Sequence, residues 1–241
     1  MQEAAQPRSV PRAKYAELVA ALSSPRTFER LLREQEETSI ADELAPFHWE
    51  LAFPHVFLRP DRPRGFDVII GNPPYDVISA RETGRDVAPL QRFIATDPTL
   101  EPTAVGKNNL YKLFIARSVE LLVDGGYLSF IVPMAVLGDE QSSGIRRMLL
   151  EQGGFRAVHA FPQKDNAAAR IFPDAKLSTA LFLYEKSQSQ AVRSASFITR
   201  AHPAQFIVDT GEPLRLNATS IRLYDPSNLT ILSCSQADWD L

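Results

Sequence analysis

Apolar positions recur along this chain in two rhythms. Positions 14–21 and 27–36 have helical spacing and are separated by Ser23-Ser24-Pro25, where a serine can cap and a proline fits the first turn, so two short helices are predicted there. The run Phe66-Asp67-Val68-Ile69-Ile70-Gly71 predicts a short buried strand. Residues 76–106 are polar and rich in turn formers, and a loop that long in a compact domain is usually functional or mobile, able to close over a substrate. Residues 108–123 predict an amphipathic helix with Leu110, Phe114, Val119 and Leu122 among its apolar positions, stopped by Asp124-Gly125-Gly126. A strand at 127–132, a helix at 138–152 and strands at 155–161 and 177–184 follow. Alternation of strand and helix predicts an α/β sheet. A polar turn is expected at 187–194, and 197–223 read as further edge strands or the start of another domain.

Composition narrows the class. The net charge of -3 and a pI near 5.9 give no nucleic-acid footprint over the chain as a whole, so a contact with DNA has to be local or has to rely on other segments. Cys234 alone cannot build a disulfide framework, which fits a reducing compartment. No apolar stretch reaches membrane-span length and the first ten residues lack the apolar core of a secretory signal, so a cytoplasmic location with no membrane partner is expected.

The chemistry concentrates where the first strand ends, at Asn72-Pro73-Pro74-Tyr75. Gly71 gives the backbone freedom before two prolines fix φ and remove donors. Consecutive prolines press Asn72 and Pro73 toward extended geometry, leaving carbonyls without local partners. An amide oxygen and free carbonyls can accept the protons of an NH2 group while the Tyr75 ring stacks on the face of the ring that bears it. The ordinary reading of such a tetrad is a proline-capped strand end, and the strand before it is what favours the functional one.

Asn72-Pro73-Pro74-Tyr75 resembles the catalytic motif of S-adenosylmethionine-dependent amino-methyltransferases. Phe47-His48-Trp49-Glu50 with Phe53-Pro54, the strand and tetrad, Gly106-Lys107-Asn108-Asn109-Leu110-Tyr111, Gly125-Gly126-Tyr127 through Pro133, and Ile171-Phe172-Pro173 ahead of Leu177-Ser178-Thr179 occur in the order seen in gamma-class adenine-N6 DNA methyltransferases. The look is that of the methylase part of fused, type IIG-like restriction-modification and phage-defence enzymes. That resemblance implies site-specific methyl transfer from S-adenosylmethionine to a flipped adenine in double-stranded DNA. It implies Asn72 and Pro73 as acceptors for the amine, Tyr75 and Phe172 as stacking walls, and Asn72 and Pro74 beside the cofactor. For Phe172 an ordinary core role stands alongside, and for Asn108, Asn109 and Tyr111 helix capping and packing are expected. His48 and Trp49 read as packing residues.

The expected fold is therefore a partial Rossmann-like methyltransferase sheet lacking its first, cofactor-binding half. The first glycine is Gly65, so no glycine-rich turn precedes the tetrad. Three segments follow from this reading: a helical 1–45, the C-terminal half of the catalytic domain at 46–200, and edge strands or the start of a target-recognition region at 201–241. A missing N-terminal cofactor-binding segment or subunit and a target-recognition domain are the implied partners, which makes the chain a fragment, a split subunit or a decayed remnant. Two other readings stay open: an amino-methyltransferase acting on protein glutamine or RNA, and a non-catalytic binding module. Asp174 and Lys176 have only a faint nuclease look without a partner carboxylate, and no metal-ligand spacing occurs among the histidines.

Overall fold

A computed structural model describes residues 47–58, 60–84, 86–209 and 211–240. The chain divides into two units, Met1–Arg62 and Pro63–Leu241. In the first unit, Trp49–Ala52 (α1) and Pro54–Phe57 (α2) are single-turn helices, the second opened by a proline whose missing N–H has no role at that position. Rings hold this short stretch together: Phe47 meets Trp49 edge-on at 4.9 Å, and Trp49 stacks on Phe53 at 5.8 Å. The helices predicted at 14–21 and 27–36 lie outside the described residues.

The second unit is built on a six-stranded mixed sheet. Its strands are β1 (Phe66–Gly71), β2 (Leu122–Pro133), β3 (Gly153–Phe161), β4 (Thr179–Lys186), β5 (Phe197–Ala201) and β6 (Leu214–Leu216), in the order β1-β2-β4-β3-β5-β6. β1, β2, β3 and β5 run in one direction, and β4 and β6 run against them. The expected α/β class is what forms. Between the strands lie α3 (Ala80–Thr83), α4 (Ala88–Thr96), α5 (Leu110–Leu121), α6 (Ala135–Gly138), α7 (Ser143–Gln152) and α8 (Gln190–Ser194), and after β6 come α9 (Ala218–Tyr224) and α10 (Gln236–Trp239).

Register explains where the core sits. Ile69, Leu128 and Tyr184 align across β1, β2 and β4 and share one face of the sheet, as do Phe130, Phe182 and Val158. That face packs under α5 and α7, where Ile115, Val119, Ile145 and Leu149 are buried in the same cluster. Residues 214–231 add Leu214, Leu216, Ile221, Leu229 and Ile231 to it.

Three expectations need correction. The strand at 66–70 was expected to be buried, yet Val68 is 59% and Ile70 80% exposed. Among the described residues β1 pairs only with β2, and its alternate side chains point to the face opposite α5 and α7, so an apolar run alone cannot bury it. The segment 76–106 is not a bare loop, since α3, α4 and a 3₁₀ turn at Glu101–Thr103 form within it. Asp124-Gly125-Gly126 does not simply stop a helix. It lies inside β2, where pairing with β1 slips between Phe66 and Val68 and Gly125 takes φ +82°, a conformation glycine tolerates.

Because β1, β2, β3 and β5 are parallel, their carboxyl ends meet one rim of the sheet. The tetrad after Gly71 and the loop 162–178 after Phe161 therefore gather on the side where α/β sheets commonly bind ligands.

Candidate active site

The tetrad leaves β1 at that rim with Asn72 and Pro74 exposed, Pro73 buried and Tyr75 half-buried. The Tyr75 hydroxyl donates to Asn72 Oδ1 at 2.7 Å and lies 3.1 Å from the Ile131 carbonyl, so one proton is shared between two acceptors. Burial pushes this hydroxyl up to about 12, which keeps it protonated and donating at neutral pH. Asn72 thus presents an exposed carboxamide with one oxygen lone pair engaged and the other open. Among the described residues no hydrogen bond claims the Pro73 carbonyl.

Phe172 comes to this turn from the loop between β3 and β4. Its ring centroid is 6.3 Å from that of Tyr75, with the planes at 66°. Chain folding therefore brings Asn72, Pro73, Tyr75 and Phe172, four of the residues singled out in the sequence, into one place. Pro74 stands at its open side.

Backbone pairing fixes the segment after the tetrad. The Ile78 N–H donates to the Asn108 carbonyl at 2.8 Å, and the Leu110 N–H to the Asp76 carbonyl at 2.9 Å, tying the Lys107-Asn108-Asn109-Leu110-Tyr111 block to the turn. Asn109 occupies the cap position of α5, but its side chain makes no cap bond, contrary to expectation. Tyr111 packs as expected, fully buried with its hydroxyl 3.2 Å from Ser142 Oγ.

Behind this frame lies a charge that the sequence reading missed. Lys112 is 1% exposed, and its ammonium donates to the carbonyls of Val105 and Gln141, each at 2.9 Å. Desolvation pushes it down to about 8. Helical spacing alone marks position 112 as one of several lysine-compatible sites, so burial was not visible. The Ile131 carbonyl was also unforeseen, because any residue type supplies one.

No cluster of three or more ligating side chains occurs among the described residues. Lys176 forms an exposed pair with Asp165 at 3.0 Å, leaving the nuclease resemblance without support. For a nucleoside cofactor the fit is partial. Exposed Asn72 and Pro74 leave room for a group at the open side of the turn, while among the described residues no glycine-rich strand-to-helix turn holds a nucleoside.

Comparison with known proteins points to restriction-modification methylases. The family described as Eco57I restriction-modification methylase matches residues 11–167. Type II methyltransferase M.TthHB8I of Thermus thermophilus is 30% identical over 130 residues, 54% of this chain and 28% of that protein. Type II restriction enzyme and methyltransferase RM.Eco57I of Escherichia coli is 34% identical over 86 residues, 36% of this chain and 8% of that protein. The chain thus spans 28% of the first relative and 8% of the second. Among solved structures, a type I restriction-modification methyltransferase subunit from Streptococcus thermophilus aligns with TM-score 0.42 and 23% identity, covering 67% of this chain and 31% of that one.

Proposed function

Since the chain belongs to the Eco57I restriction-modification methylase family, we propose that it carries the base-handling side of a DNA adenine-N6 methyltransferase. The observation that supports this most is the meeting of Tyr75 and Phe172, distant in sequence, beside an exposed Asn72. In this reading the free lone pair of Asn72 Oδ1 and the Pro73 carbonyl accept the two protons of the adenine amine. Accepting both leaves electron density on nitrogen, aimed out of the turn. S-adenosylmethionine supplies the electrophilic methyl group when bound. Asn72 and Pro74 would border its reactive end, and a glycine-rich segment not supplied by these residues would hold the rest.

Tyr75 and Phe172 would take an extruded base between them. Flipping costs a few kcal/mol, and stacking returns roughly 1–3 kcal/mol per base, so two walls offset much of the penalty. The present edge-on contact closes the gap. Tyr75 is tethered through its hydroxyl to Asn72 and Ile131, so the Phe172 ring is the wall that turns aside. Double-stranded DNA is the substrate, approached at the rim and read by a target-recognition region. Among the described residues no helix is long and apolar enough to cross a membrane.

The test is methyl transfer from labelled S-adenosylmethionine to unmethylated duplex DNA, with the chain alone and joined to a cofactor-binding segment. The expected product is N6-methyladenine, lost by roughly 10²-fold or more in Asn72→Ala with the fold intact. Label appearing instead on a glutamine-bearing protein or on RNA would replace DNA as substrate. No cofactor binding in any combination would leave a binding module.

A further inference from the structure

The loop that delivers Phe172 runs from Pro162 to Ser178, with a 3₁₀ segment at Ala167–Ala169 and a turn in which the Ala175 N–H donates to the Phe172 carbonyl at 3.1 Å. Ties across so long a connection fix the backbone that carries Phe172. At its base Ser178 Oγ donates to the Pro162 carbonyl at 2.8 Å, and the exposed Lys176–Asp165 pair adds little of its own. The middle is closed by one side chain. The Arg170 guanidinium donates through Nε to the Lys164 carbonyl at 2.5 Å and through Nη1 to the Pro173 carbonyl at 2.9 Å. Those two carbonyls lie on opposite arms of the loop, and Pro173 directly follows Phe172.

We infer that Arg170 is a positioning residue: its guanidinium fork clamps the two arms of the 162–178 loop and thereby sets where the Phe172 ring stands against Tyr75. The chemistry asks for arginine. Two N–H donors at a fixed divergence match two carbonyls, whereas a lysine ammonium is a point charge on a flexible stem. Arg170 makes no salt bridge among the described residues; after the Lys176 hydrogen bond, its charge helps hold the Asp165 carboxyl below its ordinary value, while its own hydrogen bonds go to neutral carbonyls. It is also two residues from Phe172, close enough for loss of the clamp to reach the ring directly.

The inference rests on the reading of Tyr75 and Phe172 as the walls around a flipped adenine, and two measurements on the full chain separate their fates. The first is the proton NOE between the Tyr75 and Phe172 rings in protein labelled at Tyr and Phe. It should be present in the parent chain, persist in Lys176→Ala, which breaks only the exposed pair, and vanish in Arg170→Lys. The second is methyl transfer to long unmethylated duplex DNA by the chain combined with its cofactor-binding segment. Arg170→Lys keeps the charge and loses the fork, so kcat should fall roughly 10-fold to 10²-fold, the scale on which small misplacements act, while KM for DNA stays within about twofold. An unchanged ring NOE in Arg170→Lys would overturn the clamp even if methyl transfer is confirmed. Full rescue of kcat by Lys would do the same, by making charge rather than the fork the useful property. Loss of the NOE in Arg170→Lys together with no methyl transfer from any variant would uphold the clamp and reject the transferase reading.

Discussion

Strands β1 and β4 are both short and apolar, yet their surroundings are opposite. β4 has a neighbour on each side and alternates fully buried side chains, with Ala180 and Tyr184 at 0% and Phe182 at 1% exposure. β1 has one neighbour among the described residues and leaves Val68 and Ile70 largely exposed. Apolar content gives a strand the capacity to be buried, and the elements around it decide how much of that capacity is used. The strand that carries the candidate chemistry is the less covered of the two, so stability and function draw on different parts of the sheet.

Truncating each strand is the harshest way to break that contrast. Phe182→Ala removes a ring in edge contact with Phe130 at 6.5 Å and Phe155 at 5.9 Å, and should cost about 3–5 kcal/mol. Ile70→Ala on the exposed face should cost less than about 0.5 kcal/mol in the same chain. Urea unfolding of both variants measures the difference. Comparable losses would mean that Ile70 is covered in solution.

Much of this division was legible in the sequence, and what was not has physical causes. The tetrad, its strand and the strand-helix alternation follow from proline placement and apolar period, both local properties. Convergence of Phe172 on Tyr75 was reachable only through family resemblance, because a contact between residues 97 positions apart leaves no local trace (172 − 75 = 97). Exposure of Val68 and Ile70 was misjudged since the same residues suit a central or an edge strand. The helix α4 was missed inside a segment whose polarity resembles a loop, and the clamp by Arg170 was hidden because its partners are carbonyls.

A gentler probe reaches the frame between the two regions. Lys112→Met should leave the Val105 and Gln141 carbonyls without their donor and cost about 1–3 kcal/mol. The pH dependence gives a second reading of the same group. In the folded chain the ammonium titrates at about 8, below its ordinary 10.5, so the unfolded chain holds this proton more tightly. Stability should therefore rise as pH increases from about 8 toward 10, the reverse of a paired lysine. Above that, the raised hydroxyl of Tyr75 acts in the opposite direction, since its folded value of about 12 exceeds the ordinary 10.0. Denaturant midpoints between pH 8 and 10 should climb more steeply in the parent chain than in Lys112→Met, where Lys186, also lowered by burial, still contributes.

A smaller effect than that of Lys112→Met discriminates more finely, because it asks how the exposed strand keeps its chemistry in order. Tyr75→Phe removes the hydroxyl bridge to Asn72 Oδ1 and the Ile131 carbonyl and retains the ring. The net loss in stability should be about 0.5–1.5 kcal/mol, the scale of one hydrogen bond. Methyl transfer should fall only several-fold, since the stacking face survives and the Asn72 oxygen gains a free lone pair. Tyr75→Ala should fall further, by the roughly 1–3 kcal/mol that base stacking contributes. Transfer rates for the two variants, measured beside their denaturant midpoints, separate the ring from its hydroxyl. If Phe and Ala at position 75 lose activity equally, the tether to Asn72 and Ile131 matters more than the stacking wall, and the order of the exposed strand depends on a single hydroxyl bridging it to β2.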